Sequence, residues 1–195
     1  MHIRIVWFIM LCIALSGCQL RPPPPPHDSA PLRPPTQASH TSADPNAFTL
    51  SSPLVTDGGA LPAMFTCDGN GETLPLVWQN PPATTMSYAI VMHHTAAADD
   101  VHWYWVLYNI PADITQLAQN SISIGTLGTN SVNDRNEYAP PCSKGPGPKT
   151  YTYTIYALSA SPQLATGVVD RDTLLAAISD ITVASATLDV VYSRP

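Results

Sequence analysis

The chain has 195 residues and carries 8 Lys+Arg against 14 Asp+Glu, a formal net charge of −6. That balance argues against nucleic-acid binding, which needs clustered cations to displace counterions. Charged residues are only 11% of the chain, so solubility rests on Ser, Thr, Asn and Gln, and the length suffices for one domain with a sizeable core.

The first element is a targeting signal over residues 1–17. His2 and Arg4 precede an apolar run from Ile5 to Leu15, which is too short to span a bilayer well, and Ser16-Gly17 sit before Cys18. Leu15-Ser16-Gly17-Cys18 resembles the lipobox of bacterial lipoproteins. The resemblance implies cleavage before Cys18, a diacylglycerol on its sulfur and acylation of the new amino terminus. Several acyl chains, at ~0.8 kcal/mol per buried methylene, anchor firmly. Gln19, rather than Asp, favours the outer membrane. A plain secreted protein and an uncleaved single-span anchor are the alternatives.

Residues 18–47 form the second segment. Pro22 to Pro26 run together, followed by Pro31, Pro34, Pro35 and Pro45 among Ser, Thr and Ala. Proline fixes φ and removes donors, and little here is apolar enough to bury, so the segment is expected to be an extended tether. His27 and His40 within it are expected to be solvated.

Residues 48–195 are expected to hold the folded domain. Phe48 to Ser52 reads as an edge strand stopped by Pro53, and Asp57-Gly58-Gly59 as a turn. Met64-Phe65-Thr66 is short and apolar, and Cys67 to Gly71 is a loop. Leu76-Val77-Trp78, Tyr88 to Met92 and Trp103 to Asn109 read as strands. Ile114 to Pro148 reads as mostly loop. Tyr151 to Leu158 and Ala184 to Tyr192 alternate in the manner of half-buried strands. Asp172 to Ile178 is the expected helix, with Asp170 or Asp172 as its cap and Leu174, Leu175 and Ile178 as its apolar stripe. Short strands with one late helix predict a mainly β fold of packed sheets. On a regular strand Trp103 and Trp105 share one face, and Tyr104 points the other way.

Several motifs together resemble a family. Thr66-Cys67-Asp68-Gly69, Leu74 to Trp78, Trp105 to Pro111 and Tyr138 to Cys142, with the runs Tyr151–Leu158 and Ala184–Arg194, fall in the order found in bacterial members of the phosphatidylethanolamine-binding protein (PEBP) family. This is the Raf-kinase-inhibitor-like branch. The resemblance covers nearly all of residues 48–194. It implies a large central antiparallel-rich sheet packed with a smaller sheet, one short C-terminal helix and a small anion-binding cavity. It also implies a phospholipid head-group-like ligand or a protein partner.

The pattern departs from the family at its pocket. Where the family has Asp-Pro-Asp-Ala-Pro, this chain has His94-Thr95-Ala96-Ala97-Ala98. A family histidine is replaced by Tyr104, and His-Arg-Tyr becomes Lys149-Thr150-Tyr151. The resemblance therefore assigns ligand binding to His94, Tyr104, Lys149 and Tyr151. Lys149 would supply a point charge, His94 a switchable one and the tyrosines hydroxyl donors. The alternative is an envelope structural or interaction lipoprotein whose pocket binds nothing.

Cys67 and Cys142 are the cysteines left after processing, and two cysteines in an exported domain usually pair. A bridge closing ~75 residues contributes roughly 4 kcal/mol in the chain-entropy account. Two buried free thiols are the alternative. His93, His94 and His102 with Asp99 and Asp100 are metal-ligand types, but adjacent strand residues face apart, so His93 and His94 are not expected to share an ion. No metal or cofactor is expected. The chain has no Gly-x-Ser-x-Gly elbow, HExxH helix or nucleotide loop, so binding rather than catalysis is expected.

Overall fold

The computed structural model describes residues 44–145, 147–164 and 168–194. The signal, Cys18 and nearly all of the tether lie outside the described residues. In chain order the elements are β1 (Thr49–Ser51), β2 (Gly59–Ala60), a 3-10 turn (Ala63–Phe65), β3 (Leu76–Gln79), β4 (Ser87–Ala97), β5 (Asp100–Pro111), β6 (Gln116–Leu117), β7 (Thr126–Leu127), β8 (Lys149–Leu158), helix α1 (Arg171–Ile178) and β9 (Thr182–Tyr192).

Six strands form one sheet in the order β2-β9-β8-β4-β5-β7, and three form a smaller sheet in the order β1-β3-β6. Every pairing is antiparallel except β2 with β9. The mainly β architecture, with two sheets and one short C-terminal helix, is the one expected. Alternation sets what each face buries. Tyr88, Ile90 and Met92 of β4 join Ile155 and Tyr153 of β8, Leu188 of β9 and Trp78 of β3 in the main core. Ala89 and Val91, on the opposite face, pack with Val106, Leu158, Leu174 and Ile178 in a second core that includes α1. Trp78 meets Tyr88 edge-on with centroids 5.3 Å apart, a geometry that adds about 1 kcal/mol beyond area burial.

The helix begins where its cap chemistry dictates. Asp170 is extended and accepts the Thr173 amide at 2.8 Å. That bond holds the Asp170 carboxyl below the usual range. Such caps contribute about 1 kcal/mol.

The strands around the expected site extend beyond the sequence reading. β4 runs on to Ala97 and β5 starts at Asp100, so the Ala/Asp insert is a tight hairpin turn. His94 faces His102 directly across it. Among the described residues, the segment from Ile114 to Pro148 carries only the two-residue strands β6 and β7.

One expectation is corrected in β5. Met92 pairs with Trp105, and His93 pairs with Trp103, so Tyr104 is an extra residue in β5. A bulge of this kind breaks strict alternation. Tyr104 and Trp105 consequently both face the main core, and Trp103 packs against the second. The indoles do not share a face, and Tyr104 does not oppose Trp105.

Candidate functional site

A cavity of about 640 Å³ opens at the end of the large sheet where β4 turns into β5. Adjacent strands contribute its wall: His94 and Ala96 from β4, Asp100, His102 and Tyr104 from β5, and Lys149 from the start of β8. Loops close the other side with Ser131, Val132, Asn133 and Glu137, then Ala139 and Pro140, then Cys142 and Lys144, with Cys67 opposite. Of the residues singled out from sequence, His94, Tyr104 and Lys149 line this cavity. Tyr151 lies beneath it, fully buried, with its ring 5.5 Å from that of His94 and 5.3 Å from that of Tyr104.

Each lining group is held in a definite state. The His94 Nδ1–H donates to the Thr150 carbonyl at 2.8 Å. A carbonyl only accepts, so that contact fixes the tautomer and leaves Nε2 with a lone pair, which becomes a donor on protonation. Lys149 Nζ donates to the Lys144 carbonyl at 2.6 Å, which leaves two ammonium hydrogens for another acceptor. Burial raises the Tyr104 and Tyr151 phenols above their ordinary range, Tyr151 further because Tyr104 lies beside it. Both are therefore neutral donors at pH 7. The Tyr151 hydroxyl is buried and has no hydrogen-bond partner among the described residues.

The charge pattern is mixed. Lys144 and Lys149, the two lysines of the chain, both reach this cavity. So do two carboxylates, Asp100 and Glu137. Asp100 Oδ1 lies 3.0 Å from His102 Nε2, and Glu137 accepts from Asn133 Nδ2 at 2.7 Å. Sequence reasoning assigned no pocket role to Asp100, His102, Ser131, Asn133, Glu137 or Lys144. The available signal was the rarity of lysine, which marks Lys144 as well as Lys149.

A buried asparagine shapes the loop wall. Asn130 is fully buried. Its amide donates to the carbonyls of Arg135 and Glu137, and its side-chain oxygen accepts the amides of Val132 and Asn133. All four of its hydrogen-bonding positions are thus used to fold the strap that carries Ser131, Asn133 and Glu137. Gly128 lets that strap approach β5, because its amide donates to Val106 O at 2.7 Å. A Cβ there would lie 2.4 Å from Val169 O.

The opposite rim is tied covalently. Cys67 and Cys142 form a disulfide, with Cα atoms 5.3 Å apart and a sequence separation of 75. Beside it the Asp68 carboxylate accepts from Tyr192 Oη at 2.8 Å and from Arg194 Nε and Nη2. Those bonds, Arg194 first and Tyr192 second, hold the Asp68 carboxyl below the usual range. The C-terminal end of β9 is thereby fastened to the Cys67 loop.

His93 points away from all this. It sits on the α1 face with its Nδ1 buried and, among the described residues, unpartnered. Burial first, then Arg171, lower its pKa against the opposing pull of Asp189. His93 and His94 do face apart. Among the described residues no three His, Cys, Asp or Glu side chains converge as a metal site.

Comparison with known proteins agrees with this architecture. The family model described as phosphatidylethanolamine-binding protein matches residues 51–193. A UPF0098 protein of Methanothermobacter thermautotrophicus is 31% identical over 151 residues, covering 75% of this chain and 99% of that protein. The protein named "Putative lipoprotein LppC" of Mycobacterium tuberculosis is 29% identical over 171 residues, covering 82% of each chain. Among solved structures, the PEBP homologue CT736 of Chlamydia trachomatis superposes with a TM-score of 0.71 at 24% identity, covering 77% of this chain and 99% of that one. YbcL of E. coli gives 0.69 at 21% identity, covering 76% and 99%. At those identities the two structures speak for the fold alone.

Proposed function

Since this chain belongs to the phosphatidylethanolamine-binding protein family, we propose that its cavity binds a small anion of the phosphate class, carried by a phospho-head group, without catalysing its turnover. The observation that carries this reading is the convergence of both lysines of the chain on one cavity, beside His94 with its free Nε2. A tetrahedral anion needs several donors from different directions. Lys149 supplies two free N–H groups, Lys144 a second ammonium, Tyr104 a neutral hydroxyl, and protonated His94 an Nε2–H. Tyr151 supports the floor beneath His94 and Tyr104.

The carboxylates refine the ligand class. Asp100 and Glu137 would repel a bare polyanion but accept from an ammonium. A ligand joining a phosphate to an amine therefore fits this lining better than inorganic phosphate does. The lipobox at Cys18, and a relative that carries the name of a lipoprotein, support a lipid-anchored envelope protein. Gln19 favours the outer membrane.

The test is calorimetric titration of phosphate and phosphoethanolamine into the full chain. Saturable binding is expected, tighter for phosphoethanolamine and about tenfold weaker in Lys149→Ala. No heat from either compound, with the chain folded by thermal melt, would sink the proposal. It would leave the reading of an interaction lipoprotein with a non-binding pocket.

A further inference from the structure

The disulfide is part of the cavity wall, since Cys67 and Cys142 both line it. Each is only half-buried, whereas the adjoining Thr66, Pro141 and Ser143 are buried. Small solutes that enter the cavity therefore reach the bond. Its two ends have different surroundings. Arg194 Nη2 lies 3.7 Å from Cys67 Sγ. Cys142 lies on the side that leads to Lys144 and Lys149, which line the same cavity.

Thiol–disulfide exchange has a direction when the two sulfurs differ. A thiolate attacks one sulfur, and the other departs as a thiolate, faster where a cation receives its charge. Beside the guanidinium, Cys67 is the better leaving group. We propose that Cys142 is a thiol-modification site: a small thiol entering the cavity forms a mixed disulfide with Cys142 and releases Cys67 as a thiolate beside Arg194. One S–S bond forms and one breaks, and the electron pair of the broken bond leaves on Cys67. The thiol is the only co-reactant. Return attack by Cys67 expels it and restores the original bond. While attached, the thiol stands in the cavity with Lys144 and Lys149. On the reading that this cavity holds a phospho-head group, on which this consequence alone rests, modification blocks the ligand.

Asp68 opposes the guanidinium. Its carboxylate accepts from Arg194 Nε and Nη2 and neutralises part of the charge offered to Cys67. The two residues therefore act on exchange with opposite signs. Arg194→Gln removes the cation and slows the departure of Cys67. Asp68→Asn removes the competing anion, keeps an acceptor for Arg194 and speeds it. A clasp that merely held the Cys67 loop to the end of β9 would behave otherwise, because both substitutions loosen it and both would speed exchange. Arg194 is half-exposed, so water screens its charge and each change is expected to be about threefold.

The experiment exposes the folded full chain, in detergent, to reduced glutathione. Samples are quenched in acid over time, free thiols are alkylated and the peptides are mapped by mass. Glutathione is expected on Cys142 with the alkyl group on Cys67, at a rate that falls in Arg194→Gln and rises in Asp68→Asn, with thermal melts showing all three chains folded. Glutathione on Cys67, acceleration in both variants, or a bond that opens only in denaturant would overturn the proposal. Phosphoethanolamine titration of the modified chain separates the two readings. Binding lost on modification supports both, whereas a modified Cys142 in a chain that binds nothing in either form sinks the ligand reading and leaves the modification site standing.

Discussion

His93 and His94 are neighbours in sequence, yet the two faces of β4 make them different chemical groups. On the α1 face, burial drives the His93 imidazole toward its neutral form. On the cavity face, His94 is tied by Nδ1 to Thr150 and keeps Nε2 open. The same division runs through β5, where Trp103 packs on the α1 side and the bulge sends Tyr104 with Trp105 to the other. One face is packed against the helix and buries its imidazole. The other ends in a cavity where polar groups are positioned but not consumed. Substitutions on the two sides should separate stability from binding.

The largest expected effect removes what joins the cavity rim to the fold. Cys67→Ser with Cys142→Ser should destabilise the domain by roughly 4 kcal/mol, read as a lower midpoint in urea. Because Cys142 leads into the segment carrying Lys144 and Lys149, phosphate affinity should fall as well. Unchanged affinity at a lowered midpoint would show that the rim and the cation loop are independent.

Next is Gly128→Ala. A Cβ would press on the Val169 carbonyl and the Val106 side chain, and overpacking of this kind costs about 1–3 kcal/mol. It should loosen the strap bearing Ser131 and Asn133, so thermal melting and ligand titration should both move.

Tyr151 separates the roles within one residue. Tyr151→Phe removes a buried hydroxyl without a partner, so the urea midpoint should hold or rise slightly, by up to about 1 kcal/mol. A marked fall would mean that the hydroxyl is satisfied within the fold.

The smallest effect is on pH. His93 has a lowered pKa in the folded state, so folding favours its neutral form. Its contribution is complete above the unfolded imidazole value, about 6.5, and is lost as pH falls from there through the folded value. His93→Gln should therefore flatten the stability profile below about pH 6.5. Asp68 and Asp170, both lowered, act in the same direction at lower pH. Their stabilisation is present above about pH 4 and fades as pH falls through their folded values.

Much of the fold was legible because alternation is local. Tyr151 to Leu158 and Ala184 to Tyr192 alternate plainly, and Asp170 before Leu174 and Ile178 announces the helix. The family resemblance supplied the two-sheet arrangement, which no local pattern contains. The bulge at Tyr104 was not legible, because an extra residue is defined only against the strand it pairs with. The His94–His102 pairing was hidden for the same reason, since hairpin register appears only once the turn is known to be Ala98-Asp99. Asn130 carries no motif, and its importance lies in four bonds that exist only when the strap is folded. The candidate site was thus partly readable through rare residue types, such as two lysines in a chain of low charge, and unreadable where geometry assembles common ones.

The most direct measurement of the central claim is a phosphoethanolamine titration followed by the imidazole resonances of His93 and His94 in the full chain. We expect the His94 signals to shift along a saturable curve, those of His93 to stay fixed, and Lys149→Ala to displace the curve about tenfold to higher ligand. Equal movement of both imidazoles, or none in either, would contradict the assignment of binding to the cavity face.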